Sequence, residues 1–131
     1  MKSIVNIIFI TVFVIVIVIA CDDTDITKID FPDENISYSD HLQPVFNVKC
    51  ARDDCHSTAY MAGGYSMQSW SDTNTPPYIL EGDPDHSVAY LAAIGQAGLS
   101  SMPPLNANVL PLSEKELTAF KTWIKEGAKN N

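Results

Sequence analysis

The sequence predicts a small all-α domain of about three main helices joined by long loops. Three amphipathic segments with helix-capping residues support the helices, which we place at 40–50, from 83 to about 95, and from 113 to 127. Two intervening stretches, 57–80 and 95–111, are rich in Gly, Pro, Ser, Asn and Thr. Loops of that length in so small a domain need a structural reason.

The chain opens with a single charged residue, Lys2, followed by a nearly unbroken apolar run from Ile4 to Ala20. This is a secretory signal pattern, and the run is at the short end of what spans a bilayer. The sequence Val18-Ile19-Ala20-Cys21 resembles the lipobox of bacterial lipoproteins, which implies cleavage of residues 1–20 and acylation of Cys21. The alternative is an uncleaved transmembrane anchor. Both readings place the rest of the chain outside the cytoplasm.

Residues 22–36 contain six acidic residues, one lysine and little periodic apolar content. Such a segment should stay extended and solvated. We therefore expect residues 21–36 to form a lipid-carrying, flexible tether that lifts the folded domain off the lipid surface. The domain itself, residues 37–131, is thin for a core built from side chains alone.

The first two helices are predicted from their opening residues. Ser39 or Asp40 can cap the first, with Pro44 near its opening turn, where a missing N–H is best tolerated. The second begins at Asp83-Pro84, an N-cap followed by proline. The expected apolar stripes are Leu42, Val45 and Phe46 on the first helix, and Val88, Leu91 and Ala92 on the second.

The third helix carries the clearest signals. Ser113 and Glu116 form a capping box, and Gly127 occupies the position that commonly ends a helix. Leu112 can pack against Leu117 as a hydrophobic staple. The expected buried stripe is Leu117, Phe120 and Ile124, with Trp123 beside it.

The chemistry of the chain is concentrated in Cys50 to His56, where two cysteines are followed directly by a histidine. Two thiols can form thioethers with the vinyl groups of a haem, and the adjacent imidazole can bind its iron. The standard signal is C-x-x-C-H; here four residues separate the cysteines, and we expect Asp53 and Asp54 to form an exposed bulge. The alternative outside the cytoplasm is a disulfide between Cys50 and Cys55. A zinc site needs about four ligands, which this cluster does not supply.

A second axial ligand is expected on the opposite side of the iron, and methionine serves this purpose in cytochromes c. Met102 is favoured because Pro103 and Pro104 stiffen the chain that follows it. Met67 remains open, and His86 is the second choice after Met102. Met61 follows His56 too closely to reach the other side.

Two other groups of residues have simpler interpretations. His41 is expected at the surface, and His86 is expected to be solvated and paired with a neighbouring acid. The aromatic residues of the first long loop either cover the edge of the haem or fill the core; these are Tyr60, Tyr65, Trp70 and Tyr78.

Several of these motifs, taken in order, resemble the planctomycete-type group of small monohaem cytochrome c domains, within the class I cytochrome c fold. The matching segments are Leu42–Phe46, Cys55-His56, Gly63-Gly64, Glu81–Pro84, Met102–Pro104 and Trp123–Ala128. The resemblance implies one covalent haem c, with Cys50 and Cys55 as thioether residues, His56 as proximal ligand and Met102 as distal ligand. It also implies that the first and last helices cross near the haem.

These features predict a lipid-anchored electron carrier of the bacterial cell envelope, facing the periplasm or the cell exterior, and not an enzyme. The net charge of −8 favours redox partners with basic docking patches and argues against nucleic acid. One alternative is a haem-based sensor with an open sixth position. The other is a haem-free lipoprotein in which Cys50 and Cys55 form a disulfide.

Overall fold

The structure is a computed structural model that describes residues 25–96, 98 and 101–131. The residues described are helical, with turns and loops and no β-strand, which confirms the predicted all-α class. The α-helices are α1 (Gln43–Lys49), α2 (Trp70–Thr73), α3 (Val88–Ala93) and α4 (Glu114–Lys125). The predicted signal segment, Cys21 and three positions of the second long loop lie outside the described residues. Within the described part, no helix is long and apolar enough to cross a membrane.

The first helix starts two residues earlier than the sequence predicted. A π-helical turn over Tyr38–Leu42 leads directly into α1, and the hydroxyl of Ser37 accepts the Asp40 N–H at 3.1 Å. Ser37 is therefore the N-cap, rather than Ser39 or Asp40. Pro44 cannot donate a backbone hydrogen bond to the preceding turn, and its ring takes up space there. The wider π-helical turn accommodates both effects.

The second predicted helix consists of two pieces, so the expectation of one helix from Asp83 was wrong. A 3-10 turn over Pro84–His86 is separated from α3 by Ser87, whose backbone is extended. The buried hydroxyl of Ser87 accepts the Leu80 N–H at 2.9 Å and donates to the Asp83 carbonyl at 2.8 Å. These two bonds fix Ser87 to the preceding turn and interrupt the helix.

α4 is built largely as predicted. The capping box is present, because the Ser113 hydroxyl accepts the Glu116 N–H while the Glu116 carboxylate accepts the Ser113 N–H. Gly127 follows the helix with φ of 92°, a conformation that glycine adopts without strain. Leu117 is only half-buried, so it is less central than expected. The buried face consists of Glu116, Ala119, Phe120, Trp123 and Ile124.

The core lies where α1 and its π-helical turn meet α4. Phe46 packs edge-on against Phe120 with ring centroids 5.1 Å apart, and the rings of Tyr38 and Trp123 are 5.3 Å apart. Full burial of each such side chain contributes about 1.5–3 kcal/mol. The first and last helices therefore pack together, as the family resemblance implied.

The described part of the predicted tether, residues 25–36, is packed on the domain; we call it the strap. Ile29 and Phe31 are partly buried against the core, and Ile36 is 1% exposed. The expectation that this segment is extended and solvated throughout was therefore wrong, because its few apolar side chains find partners on the folded domain. The division of the chain at residue 37 remains a prediction.

Candidate functional site

The attachment loop, Cys50–His56, is closed by backbone hydrogen bonds. The His56 N–H donates to the Cys50 carbonyl at 3.0 Å, which brings the two ends of the loop together. The residues between the cysteines turn outward, and Asp53 and Asp54 are exposed as predicted. The long spacing is therefore absorbed by a bulge and does not separate the start of the motif from its histidine.

Both cysteines of the loop are free thiols and half-buried. Burial raises the pKa of Cys50 from 9.0 to about 12. Burial also raises the pKa of Cys55, and a hydrogen bond to the Asp54 carboxylate adds to the effect. Both thiols are therefore protonated at neutral pH, the form in which a thiol adds across a carbon–carbon double bond.

The imidazole of His56 is oriented by Tyr65. Its Nδ1 lies 3.0 Å from the Tyr65 carbonyl oxygen, which can only accept, so Nδ1 carries the proton and donates. The lone pair is then on Nε2, the nitrogen left for a metal. The His56 and Tyr65 rings meet edge to face at 5.7 Å, and the Met67 N–H donates to the His56 carbonyl at 2.8 Å. Metal-binding histidines commonly have such a carbonyl partner, which fixes the tautomer and strengthens the ligand.

The aromatic residues of the first long loop divide into different environments. Tyr65 is in the core and its hydroxyl donates to the Thr73 carbonyl at 2.8 Å. Tyr78 stacks on Tyr65 with centroids 4.0 Å apart, which supports the ring that contacts His56. Trp70 is half-buried and donates to a backbone carbonyl, whereas Tyr60 is 62% exposed. Tyr65 is thus both a core residue and a neighbour of the candidate ligand.

The candidate methionines lie in contrasting places. Met102 is half-buried, and its N–H donates to the Ala92 carbonyl at 3.0 Å, which ties it to the end of α3. Met67 is only 5% exposed and belongs to the core. Met61 is 45% exposed. Met102 is therefore more exposed than Met67, which fills the core.

No described contact joins either of the other two histidines to the attachment loop. His86 is exposed and its Nδ1 lies 2.8 Å from the Asp83 carboxylate, so the predicted acid-paired, solvated residue is confirmed. His41 is half-buried and not a surface residue as expected. Its Nδ1 accepts the Ser37 N–H at 2.9 Å, and its ring is 6.1 Å from that of Phe31 in the strap.

Exposed apolar side chains lie near the attachment loop. Val48 is 41% exposed at the end of α1, and Leu110 is 78% exposed. Their neighbours Lys49 and Pro111 are joined by a hydrogen bond of 3.1 Å, which ties the end of α1, just before Cys50, to the loop before α4.

The donor set also fits a haem iron better than a bare ion. No group of three or more His, Cys, Asp or Glu side chains in the described residues is arranged to hold a metal ion. A porphyrin supplies four nitrogen ligands itself, so the chain needs only axial donors. Nε2 of His56 is available for such a role, because Nδ1 is bonded to the Tyr65 carbonyl.

The comparisons with known proteins point the same way. Residues 53–106 match the family model described as planctomycete cytochrome C. This segment covers fewer than half of the residues of the chain, and the match supports a planctomycete-type cytochrome c domain there. The matched segment includes Cys55, His56 and Met102, and it begins after Cys50. No curated protein and no solved structure shows a significant match. The family match indicates an electron-carrying haem protein with haem c as its cofactor and redox proteins as its general class of partner.

The sequence did not reveal one buried ion pair of the cytochrome c domain. The Lys49 ammonium lies 2.6 Å from the Glu116 carboxylate, and both side chains are at most 11% exposed. The same ammonium donates to the Pro111 carbonyl at 3.1 Å, so α1, α4 and the loop after Met102 meet at one cation. Lys49 continues the apolar spacing of α1, and this position was the available sign that its side chain is buried. Nothing in the sequence marked Glu116, 67 residues away, as its partner.

Proposed function

We propose that this protein is a lipid-anchored monohaem c-type cytochrome that carries single electrons between redox partners in the bacterial cell envelope. Cys50 and Cys55 form the thioethers, His56 is the proximal ligand and Met102 the distal one. Cys21 carries the lipid. The observation that carries the proposal is the oriented His56 imidazole in a loop that also carries two free cysteines.

Each residue has a defined task in this proposal. The haem, when bound, supplies one-electron exchange at its iron. Cys50 and Cys55 would hold the haem covalently, each thiol adding sulfur to one vinyl carbon and hydrogen to the other, with no leaving group. The Tyr65 carbonyl holds the His56 Nδ1–H and makes Nε2 a stronger donor. A Met102 thioether raises the reduction potential relative to other axial sets.

The acidic charge of the chain supports an electrostatic contribution to partner choice. A net charge of −8 favours association with proteins that present basic docking patches. Such association weakens as salt rises, because exposed charges are screened over about 10 Å at 0.1 M ionic strength. The envelope location follows from the signal pattern and the acylated Cys21.

The test is to express the full chain in a bacterial host that assembles cytochromes c and to purify it from membranes. We expect a c-type visible spectrum on reduction, and an intact mass equal to the mature chain plus one haem plus acyl groups. A colourless protein without haem mass would refute the electron carrier. A reduced protein that binds carbon monoxide readily would favour the sensor, and retention of residues 1–20 would refute lipidation.

A further inference from the structure

We infer that the strap holds the cytochrome domain close to the membrane, with the strap side of the domain facing the lipid surface. The inference rests on the proposed acylation of Cys21. It reverses the role expected for this segment, which was to separate the domain from the lipid. Three observations carry it: the contacts at each end of the strap and the length of chain left between strap and lipid.

The first part of the strap packs on α1 and the turn before it. Asp25 caps the 3-10 turn Ile26–Lys28 by accepting the Thr27 N–H at 3.1 Å, and this turn contacts α1. Ile29 and Phe31 then lie partly buried against the core, with Phe31 beside the ring of His41. An acidic, solvated tether would make none of these contacts.

The far end of the strap is fixed to α4. The backbone N–H groups of Asn35 and Ile36 both donate to the carboxylate of Glu126, the Ile36 bond measuring 3.0 Å. The side chain of Ile36 is buried in the core. Because both ends of the strap are packed on the domain, the strap adds no free length of chain between the domain and the lipid anchor.

The remaining reach is short. Only three residues separate Cys21 from Asp25, where the strap begins. Four extended steps span about 14 Å. A free chain over residues 21–36 would instead average about 20 Å and extend much further at full stretch. The start of the strap must therefore lie within about 14 Å of the lipid, which turns the strap side of the domain toward the membrane surface.

Trypsin cleavage after Lys28 tests whether the strap is docked. The lipidated holoprotein is placed in phosphatidylcholine vesicles, and the released fragment beginning at Ile29 is followed by mass. In the wild type this cleavage should be slow, because a protease must bind the flanking residues in extended form. Ile29→Ser/Phe31→Ser should be cleaved about tenfold faster or more, since cleavage follows the population of the opened strap.

Asp30→Ser is the matched control, because Asp30 lies between the two apolar residues and is exposed. It should be cleaved at the wild-type rate. An unchanged haem spectrum in the double variant shows that the domain remains folded. Cleavage of wild type as fast as the double variant would overturn the docked strap. A missing acyl mass, or failure to bind vesicles, would instead refute lipidation.

Neutron reflectometry on a supported phosphatidylcholine bilayer tests the height of the domain directly. The wild-type domain should lie within about 14 Å of the lipid surface. A flexible Gly/Ser insertion between Thr24 and Asp25 should raise it while leaving every strap contact in place. A wild-type gap as wide as that of the insertion variant would overturn the inference.

Discussion

The two sides of the candidate haem site are built differently. On the proximal side, the attachment loop is closed by the His56–Cys50 hydrogen bond, and the imidazole is held by Tyr65. The proposed distal ligand belongs to the methionine loop, residues 101–111, which exposes Leu105 at 98% and Leu110 at 78%. Its described ties are the backbone bond of Met102 to α3 and the bond from Lys49 to Pro111. The difference suggests that the chain alone orders the histidine, whereas the methionine side depends on the group that it covers.

The largest effect is expected from His56→Ala. Loss of the imidazole held by the Tyr65 carbonyl should prevent stable holoprotein, measured by the visible spectrum of the reduced protein. His86→Ala is the matched control, because His86 is exposed and paired with Asp83, and its spectrum should match wild type. A wild-type spectrum in His56→Ala would eliminate the proximal assignment.

Breaking the buried ion pair tests the link between the two sides. Lys49→Met leaves Glu116 buried without its cation and should lower the free energy of unfolding by about 3–5 kcal/mol, measured with urea. Lys49→Met/Glu116→Gln should recover most of the loss, because glutamine also serves in a capping box. If the double variant is no more stable than the single one, an uncompensated charge is not the cause.

The two methionines should respond in opposite ways. Met67→Ala should lower the free energy of unfolding by about 2–5 kcal/mol, because it leaves a cavity in the core. Met102→Ala should keep the haem attached, lower the reduction potential and open the iron to carbon monoxide. Potentiometry and carbon monoxide titration separate the outcomes. Carbon monoxide binding to Met67→Ala and not to Met102→Ala would make Met67 the sixth ligand.

The smallest effect is expected from Leu105→Ala in haem-free chain made without its signal segment. The side chain is almost fully exposed, so the free energy of unfolding should change by less than about 0.5 kcal/mol. Leu112→Ala, a buried leucine just after the same loop, should cost about 2–5 kcal/mol. In the holoprotein, a larger loss for Leu105→Ala would show that haem binding covers this residue. A large loss of unfolding free energy for Leu105→Ala in the haem-free chain would contradict the view that the methionine loop depends on haem for its order.

Local signals explain what the sequence could predict. The capping box at Ser113 and the glycine at 127 lie within one or two turns of the residues they affect, and both appear in the structure. The bulge at Asp53 and Asp54 likewise follows from charge and spacing alone. Such features need no knowledge of distant parts of the chain.

The missed features depend on side-chain hydrogen bonds that no capping signal marks, or on contacts between distant residues. Ser87 breaks the second helix because its hydroxyl accepts the Leu80 N–H, seven residues back. The strap was read as solvated from its acidic composition, yet Phe31 meets His41 and Asn35 meets Glu126, 91 residues away. The overall acidic composition of the strap did not reveal that its few apolar side chains pack on the domain.

The bulge within the attachment loop also has a practical use. Because Cys50 and His56 are joined across its base, we expect the loop to tolerate a change in the number of exposed residues between Arg52 and Cys55. Deleting Asp53 and Asp54 would give the common two-residue spacing, and a short reporter peptide grafted there would emerge beside the prosthetic group. One position thus offers both a maturation assay and a site for an optical label.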